Sequence, residues 1–577
     1  MNKAQTSSLV VLTAALAGGC SPNTESIDAR LSRLVQDQSA RLGDGLPISP
    51  VPGGDVTERP APSLARPPES CDPVAAALNY SMADPARDVS GRLSSLSVQS
   101  GMLETGAEAP PGTTLLTLPV ALRQVQEGGR ELLSAQEEYI LSAIGLLRER
   151  HLWGPRFFND TRAQIAGSGD DGDFSHAASI VNTLRATQRL PAGGEVEAAW
   201  IWDATEQLRE TAGGRYEQSS RLALSGRVPL LRGAGDVARE DLIQAERNLV
   251  YSARDFERFR RENLVATAQE YFALVRTRSQ IVNQDIQLAN LRENATRTRA
   301  LVAAGRLEAF ETGIADSEVL SAENARANLR ERYLLQLERF KIRLGLSPDQ
   351  PVAVVDAEIL LPEPDIGLEQ ATALALEFRL DFQNERDQVD DQRRAVANAR
   401  NNLLPNLDIS GEVGVPTDPS DRVGGLTPSP DDLDYEAGVT LSLPLDREQE
   451  RLAWRAEMIR LRRAERDLEQ ARDEIVIDVR SSLRTVELAR FQLQLAEEQV
   501  KINERRREGQ LLQRDLITTQ VLLDTEEAVL NARDNRDAAV AALRTAVLNY
   551  LLASGQLRVA RDGTFLAPSG MDSMGVN

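Results

Sequence analysis

The chain has 577 residues, with Phe, Trp and Tyr at only 4% and long stretches filled by Gln, Arg, Glu, Ala and Leu, the composition of long helices. Its 66 basic and 87 acidic residues leave a net charge of -21, which argues against a nucleic-acid or anionic-membrane binder, because such proteins concentrate Lys and Arg. Beyond the N-terminus no apolar run approaches the ~20 residues of a spanning helix, so any membrane crossing falls to strands closed into a barrel.

Residues 1–20 carry Lys3, an apolar stretch from Leu9 to Ala17 and the ending Leu16-Ala17-Gly18-Gly19-Cys20. This reads as a secretory signal. It resembles a bacterial lipoprotein signal, which implies lipidation (palmitate among the acyl chains) at Cys20 and, with Ser21 rather than Asp following, an outer-membrane destination. A plain signal peptide is the alternative reading. With Cys20 processed, Cys71 is the one ordinary thiol and no intramolecular disulfide can form. Residues 21–112 are broken by Pro47, Pro50, Pro52, Pro60, Pro62, Pro67 and Pro68 and read as a flexible tether with at most short helices.

An internal duplication follows. Leu118, Ala121, Glu127, Arg150 and Pro155 recur as Leu368, Ala371, Glu377, Arg400 and Pro405, a constant offset of 250. The first repeat spans 113–350, with strands over 156–231 and long helices over 236–344. The second spans 363–556, with strands over 406–445 and long helices over 447–552, and a tail runs over 557–577. Each copy opens on an apolar-periodic helix stopped by its proline, which cannot extend a helix. The offset slips to 215 at Pro229 and Pro444 and to 204 at Gly305 and Gly509, so the first copy is longer through its strands.

The strands show period-two alternation. Leu407, Ile409, Val413 and Val415 alternate with Asp408, Ser410 and Glu412, and Tyr435, Ala437, Val439, Leu441 and Leu443 repeat the pattern. Leu222, Leu224 and Val228, and Val196, Ala198, Trp200 and Trp202, do the same in the first copy. Segments 157–166 and 180–190 alternate less cleanly, and Pro191-Ala192-Gly193-Gly194 reads as a hairpin turn, leaving room for an extra hairpin there. Soluble sandwich strands alternate too, so the pattern alone does not choose a barrel.

The long helices repeat at 3.5 residues, the period of supercoiling helices. Ala268, Phe272, Val275, Ser279, Val282, Ile286 and Ala289 form one seam, and Tyr271, Leu274, Ile281 and Leu288 a second; Ile475, Val479, Ser482, Val486, Ala489, Leu493, Ala496 and Val500 form the matching seam of the second copy. Two seams per helix suit a tube of helices. The breaks are expected at Gly305 and Gly509.

In this order, twice over, these features resemble the outer-membrane factor family typified by TolC. The resemblance rests on Pro155 and Pro405, on the strand exits at 228–233 and 443–446, on the glycine turns, and on the helix ends at Gly345 and Gly555. It implies a mainly α fold with a β-barrel part: a homotrimer whose coiled-coil helices form a periplasmic α-barrel and whose strands, about four per protomer, form one shared outer-membrane β-barrel. It implies further that the helix-turn-helix tips, Ala304, Gly305, Arg306 and Leu307 with Glu508, Gly509, Gln510 and Leu511, meet a periplasmic adaptor (membrane fusion) protein, which links them to an inner-membrane pump. Asp515 matches the first of two aspartates that ring the closed pore in some members, while Thr518 replaces the second. Glu311, six residues after Gly305 as Asp515 is after Gly509, supplies a second acidic position. The alternative reading of both is an acidic residue in the first helical turn, facing the positive end of the helix dipole.

No other chemistry is credible. His151 and His176 lack partners at metal-site spacing, Asp170, Asp171 and Asp173 read as a solvated loop rather than a calcium site, and Gly233-Ala234-Gly235 turns the chain from strand to helix with Asp236 as N-cap. No metal, cofactor or catalytic centre is expected. The expected function is a passive exit duct of a tripartite efflux or type I secretion system; the alternative is a coiled-coil envelope lipoprotein without a pore.

Overall fold

The computed structural model describes residues 24–41, 114–170, 173–207, 216–355, 367–417, 431–513, 518–560 and 565–566. Cys20, Cys71 and Asp515 lie outside them, as do Asp171 and the signal segment. The elements in chain order are α1 (Thr24–Arg41), β1 (Thr114–Leu116), α2 (Leu118–Gly128), α3 (Arg130–Leu152), β2 (Arg156–Asp170), β3 (Asp173–Arg189), β4 (Glu195–Gln207), β5 (Tyr216–Pro229), α4 (Glu240–Ala303) and α5 (Phe310–Arg343). Then come β6 (Val352–Val354), α6 (Leu368–Phe378), α7 (Leu380–Asn401), β7 (Asn406–Pro416), β8 (Asp434–Ser442), α8 (Glu448–Leu512), α9 (Thr519–Ala553), β9 (Arg558–Val559) and β10 (Phe565–Leu566).

The duplication is structural. The helix before each proline is broken once, by an extended residue, at Gly129 in the first copy and Arg379 in the second, again 250 apart. Pro155 and Pro405 then end these helices, and strands begin at the next residues, Arg156 and Asn406. The tether differs from expectation: it contains the 18-residue helix α1. That helix has its own apolar stripe, with Leu31 and Val35 buried, and the Tyr139 hydroxyl donates to the Val35 carbonyl at 3.4 Å.

Two compact units are each drawn from both copies. The first, from Glu138–Arg254 and Phe382–Ala471, holds one six-stranded antiparallel sheet in the order β2-β3-β4-β5-β7-β8. The first copy supplies β2 to β5, so the extra hairpin is present, and the turn that joins β3 to β4 has Gly193 and Gly194 at φ 100 and 87. A Cβ on Gly194 would stand 1.9 Å from the Arg227 carbonyl oxygen, so only glycine fits there. Within this unit α4 is tied to α7: Asp391 accepts from Tyr251 at 2.6 Å, Arg247 at 2.9 Å and Arg394 at 2.9 Å. Burial and this carboxylate push the Tyr251 phenol far above its ordinary range.

The second unit, from Ser39–Glu137, Asp255–Asp381 and Arg472–Asn577, is helical apart from the short β1–β6 and β9–β10 pairs. On α4 the seam Tyr271, Leu274, Ile281 and Leu288 is buried throughout, whereas the other seam is buried at Ala268, Phe272 and Val275 and surfaces at Ile286. On α8, Ile475, Val479, Val486, Ala489, Ala496 and Val500 are buried as expected, and a second stripe, Ile477, Leu488, Phe491, Leu495 and Ile502, is exposed. Asp236 is not an N-cap. It lies inside a 3-10 turn, Gly235–Arg239, that precedes α4.

Candidate functional site

The sheet has two chemically opposite faces. Residues opposite one another in an antiparallel ladder point to the same side, so the pairs Leu184–Trp200, Trp200–Leu222, Leu224–Val413 and Ile409–Val439 trace one face across five strands. Ile165 and Phe157 continue it on β2 through Ala178 and Ala186. Among the described side chains this face is apolar apart from Asn159, Thr161, Asn182, Gln188 and Ser220, and it is exposed, with Ile165 at 75%, Val439 at 69% and Tyr435 at 80%. Leaving such side chains in water forgoes roughly 1.5–3 kcal/mol each. Three of these polar residues bond to one another: Asn182 Nδ2 donates to Asn159 Oδ1 at 2.9 Å and to Thr161 Oγ1 at 2.6 Å.

The other face is an ionic ladder. Arg156 meets Glu195 at 3.3 Å, Arg185 meets Asp160 at 3.3 Å, Arg221 meets both Glu412 and Asp434 at 2.8 Å, and Arg227 meets Asp408 at 2.5 Å. Arg156 and Arg185 also flank the Phe158 ring, at 5.6 and 5.1 Å from its centroid, so this face's one large aromatic sits between guanidinium groups. A cavity of about 400 Å³ in the helical unit is likewise lined by charge, including Arg258, Arg379, Asp381 and Asp478. Among the described residues no helix is long and apolar enough to cross a membrane. The exposed apolar sheet face has the chemistry of a surface suited to lipid.

The helical turns are the second candidate. After α4 the chain reverses through Gly305 at φ 69, with Gly305 N donating to Val302 O at 2.9 Å and Arg306 N to Leu301 O at 2.9 Å, a Schellman stop. Ala304, Gly305 and Arg306 are exposed and Leu307 half-buried. The second copy differs from expectation. Glu508, Gly509, Gln510 and Leu511 lie inside α8, and Gly509 does not take the positive φ of a turn. Gly509 is exposed and nothing lies within 4 Å of where its Cβ would stand, so its cost in the helix is only about 1 kcal/mol against Ala. The flanking Glu, Arg, Gln and Leu residues are strong helix formers and carry the helix through. Matched by structure, Ala303 corresponds to Leu512 and Phe310 to Thr519, both 209 apart, in place of the 204 of the glycines.

Glu311 stands in the first turn of α5, where its carboxylate meets the helix's positive end, and its Oε2 is buried without a hydrogen-bond partner. Its proposed counterpart Asp515 is outside the described residues. Behind the turns, Leu288 and Leu291 of α4, Ala322 of α5 and Leu523 of α9 form one apolar cluster. Arg299 pairs with Asp316 and Arg292 with Glu323, at 2.8 and 2.6 Å, which fixes the register of α5 on α4. Sequence reading missed Glu526, a carboxylate buried to 4% and held by Arg507 and Asn290. The available signal was its place between Leu522, Leu523 and Val529 on an otherwise apolar stripe.

Residues 372–549 match the outer membrane efflux protein family. No curated protein sequence matches the chain. Among solved structures, the Campylobacter jejuni CmeC outer membrane channel superposes with a TM-score of 0.57 at 16% identity, over 76% of this chain and 85% of that one. The outer membrane protein VceC of Vibrio cholerae gives 0.56 at 14% identity, over 76% and 96%. The open state of the Neisseria gonorrhoeae MtrE outer membrane channel gives 0.54 at 14%, over 76% and 88%. Residues 372–549 are thus similar to the outer membrane efflux protein family, and the fold of the chain is that of the TolC-like outer-membrane channels.

Proposed function

We propose that the chain is the outer-membrane exit duct of an export system, a lipid-anchored homotrimer that passes substrates delivered by an inner-membrane pump through a periplasmic adaptor protein. The observation that carries this reading is the two-faced sheet. An exposed apolar face backed by an ionic ladder suits a barrel wall with lipid outside and water inside. The exposed stripe Ile477, Leu488, Phe491, Leu495 and Ile502 on α8 gives the helices a second seam for a neighbouring copy. Ala304 to Leu307, with Glu508 to Leu511 at the end of α8, offer the adaptor its contact, and Glu311 with Asp515 supplies the acidic constriction. Cys20 carries the lipid. The duct does no chemistry of its own; the pump supplies the energy.

Planar-bilayer recording tests this reading. Purified trimer should conduct, with larger steps once Glu311→Ala and Asp515→Ala loosen the constriction. A trimer that never conducts, with or without these changes, would make the chain an envelope scaffold instead. Acyl labelling lost in Cys20→Ser tests the anchor separately.

A further inference from the structure

We infer that the membrane wall built by this chain has eighteen strands, six from each of three copies, closed by pairing β2 of one copy with β8 of the next. The inference rests on the trimeric-duct reading and adds the hairpin β2–β3 to the wall as a full member. Four observations carry it.

The first is direction. Each of the five neighbouring strand pairs, from β2–β3 to β7–β8, is antiparallel, so the two edges of a six-stranded sheet run in opposite senses. A copy placed beside β8 therefore presents β2 antiparallel to it, and the ladder continues without change of type. The second is the state of the edges. Soluble proteins guard edge strands with Lys, Pro or bulges. Neither β2 nor β8 contains Lys or Pro, and the described charges on both, Arg156, Asp160, Arg162, Asp434 and Glu436, all point to the polar face. Tyr435, Ile165, Phe157 and Val439, the most exposed of the apolar-face residues, lie on these two strands, where a next strand is missing.

The third is continuity. Phe157 and Ile165 on β2 and Ile180 and Leu184 on β3 share the apolar side with Trp200 and Leu222, so the hairpin is an extension of the wall rather than a flap across it. Three of its polar residues on that side, Asn159, Thr161 and Asn182, bond to each other and can enter an apolar medium with little loss, and Gln188 lies at the end of β3, next to the turn. The fourth is length. A strand needs about 9–11 residues to cross the hydrocarbon band, and β2 has 15, β3 17 and the shortest strand, β8, 9. At ~4.8 Å between strands and ~40° tilt, eighteen strands enclose a backbone diameter of about 36 Å, against about 24 Å for twelve. The bore is then porin-sized, and the solutes it admits are limited by the helical end rather than by the wall.

The test is cysteine accessibility in liposomes of phosphatidylcholine and phosphatidylglycerol, on a Cys20→Ser, Cys71→Ser background, with a charged maleimide on both sides of the membrane. Ala163→Cys and Gln164→Cys report on β2; Leu222→Cys and Ala223→Cys report on β5. Gln164→Cys and Ala223→Cys are expected to label at least 10-fold faster than Ala163→Cys and Leu222→Cys. If β5 alternates while both β2 positions label freely, the eighteen-strand wall is wrong and the duct stands with fewer strands. If β5 itself fails to alternate, the barrel reading falls and this inference with it.

Discussion

Arg507 Nε donates to Glu526 Oε1 at 2.7 Å, and Asn290 Nδ2 donates to the other oxygen of the same carboxylate at 3.0 Å. One buried charge thereby joins α4 of the first repeat to α8 and α9 of the second. Thr525 beside it bonds Gln510, so the end of α8 that carries the second set of candidate adaptor contacts is held from α9. Replacing Glu526 with Ala leaves Arg507 and Asn290 without their acceptor and should cost about 2–3 kcal/mol locally. Hydrogen exchange of the amides in Leu522–Val529 should accelerate ~30- to 150-fold. Unchanged protection would show that the ion pair does not hold the helix ends together.

The two glycines should respond with opposite signs. Gly305→Val forces a β-branched residue into a left-handed backbone and should cost about 1–2 kcal/mol, whereas Gly509→Ala should stabilise α8 by up to about 1 kcal/mol. Thermal unfolding of the two variants checks this. Equal destabilisation by both would mean that Gly509 also makes a turn.

The hairpin between β3 and β4 depends on Gly194. In Gly194→Ala the new Cβ meets the Arg227 carbonyl at 1.9 Å, a backbone atom that cannot swing aside. Folded, heat-modifiable oligomer on a semi-native gel should fall to a small fraction of wild type. Normal assembly would mean that the turn can be rebuilt.

Arg221 neutralises Glu412 and Asp434 together, and all three side chains are substantially exposed on the polar face. Arg221→Leu should change stability by no more than about 1 kcal/mol, while leaving two uncompensated carboxylates per copy on the polar face, the bore side of the proposed duct. The reversal potential in a KCl gradient should shift toward that of potassium. A shift toward chloride, or none, would place this face away from the conducting path.

Asp534 has its carboxyl pushed above the ordinary range, first by burial and also by the neighbouring Asp537, with the Asn283 amide, 2.9 Å away, partly opposing. The native state therefore holds this proton longer than the unfolded chain does. Stability from this group is complete below the ordinary carboxylate pKa and declines as pH rises through the raised native value. Asp534→Asn should match wild type in melting temperature at acid pH and exceed it increasingly toward neutral pH. A constant gap across the range would remove Asp534 as the cause.

Much of this was legible in the residues because two periods, 2 and 3.5, leave direct marks. Leu222, Trp200, Ile409 and Val439 announce a two-faced sheet, and Val479, Val486 and Val500 a helix seam. The hairpin of β2 and β3 was fainter, because Asn159, Thr161 and Asn182 interrupt the apolar parity and only the structure shows them bonded to one another. Gly509 misled for a physical reason. Glycine permits a turn but does not impose one, and a solvent-facing glycine among good helix formers is simply tolerated. Glu526 was hidden because its partners are 19 residues before it and 236 before it. No local pattern connects them.

The apolar side of the sheet, and the two unguarded strands that border it, also constrain how the protein can be made. A copy left in water with that surface uncovered would find other copies through the same groups that the proposed wall gives to lipid and neighbour, in no defined register. On the exit-duct reading, passage to the membrane and insertion would have to follow one another without a pause, because a stalled copy keeps that surface in water.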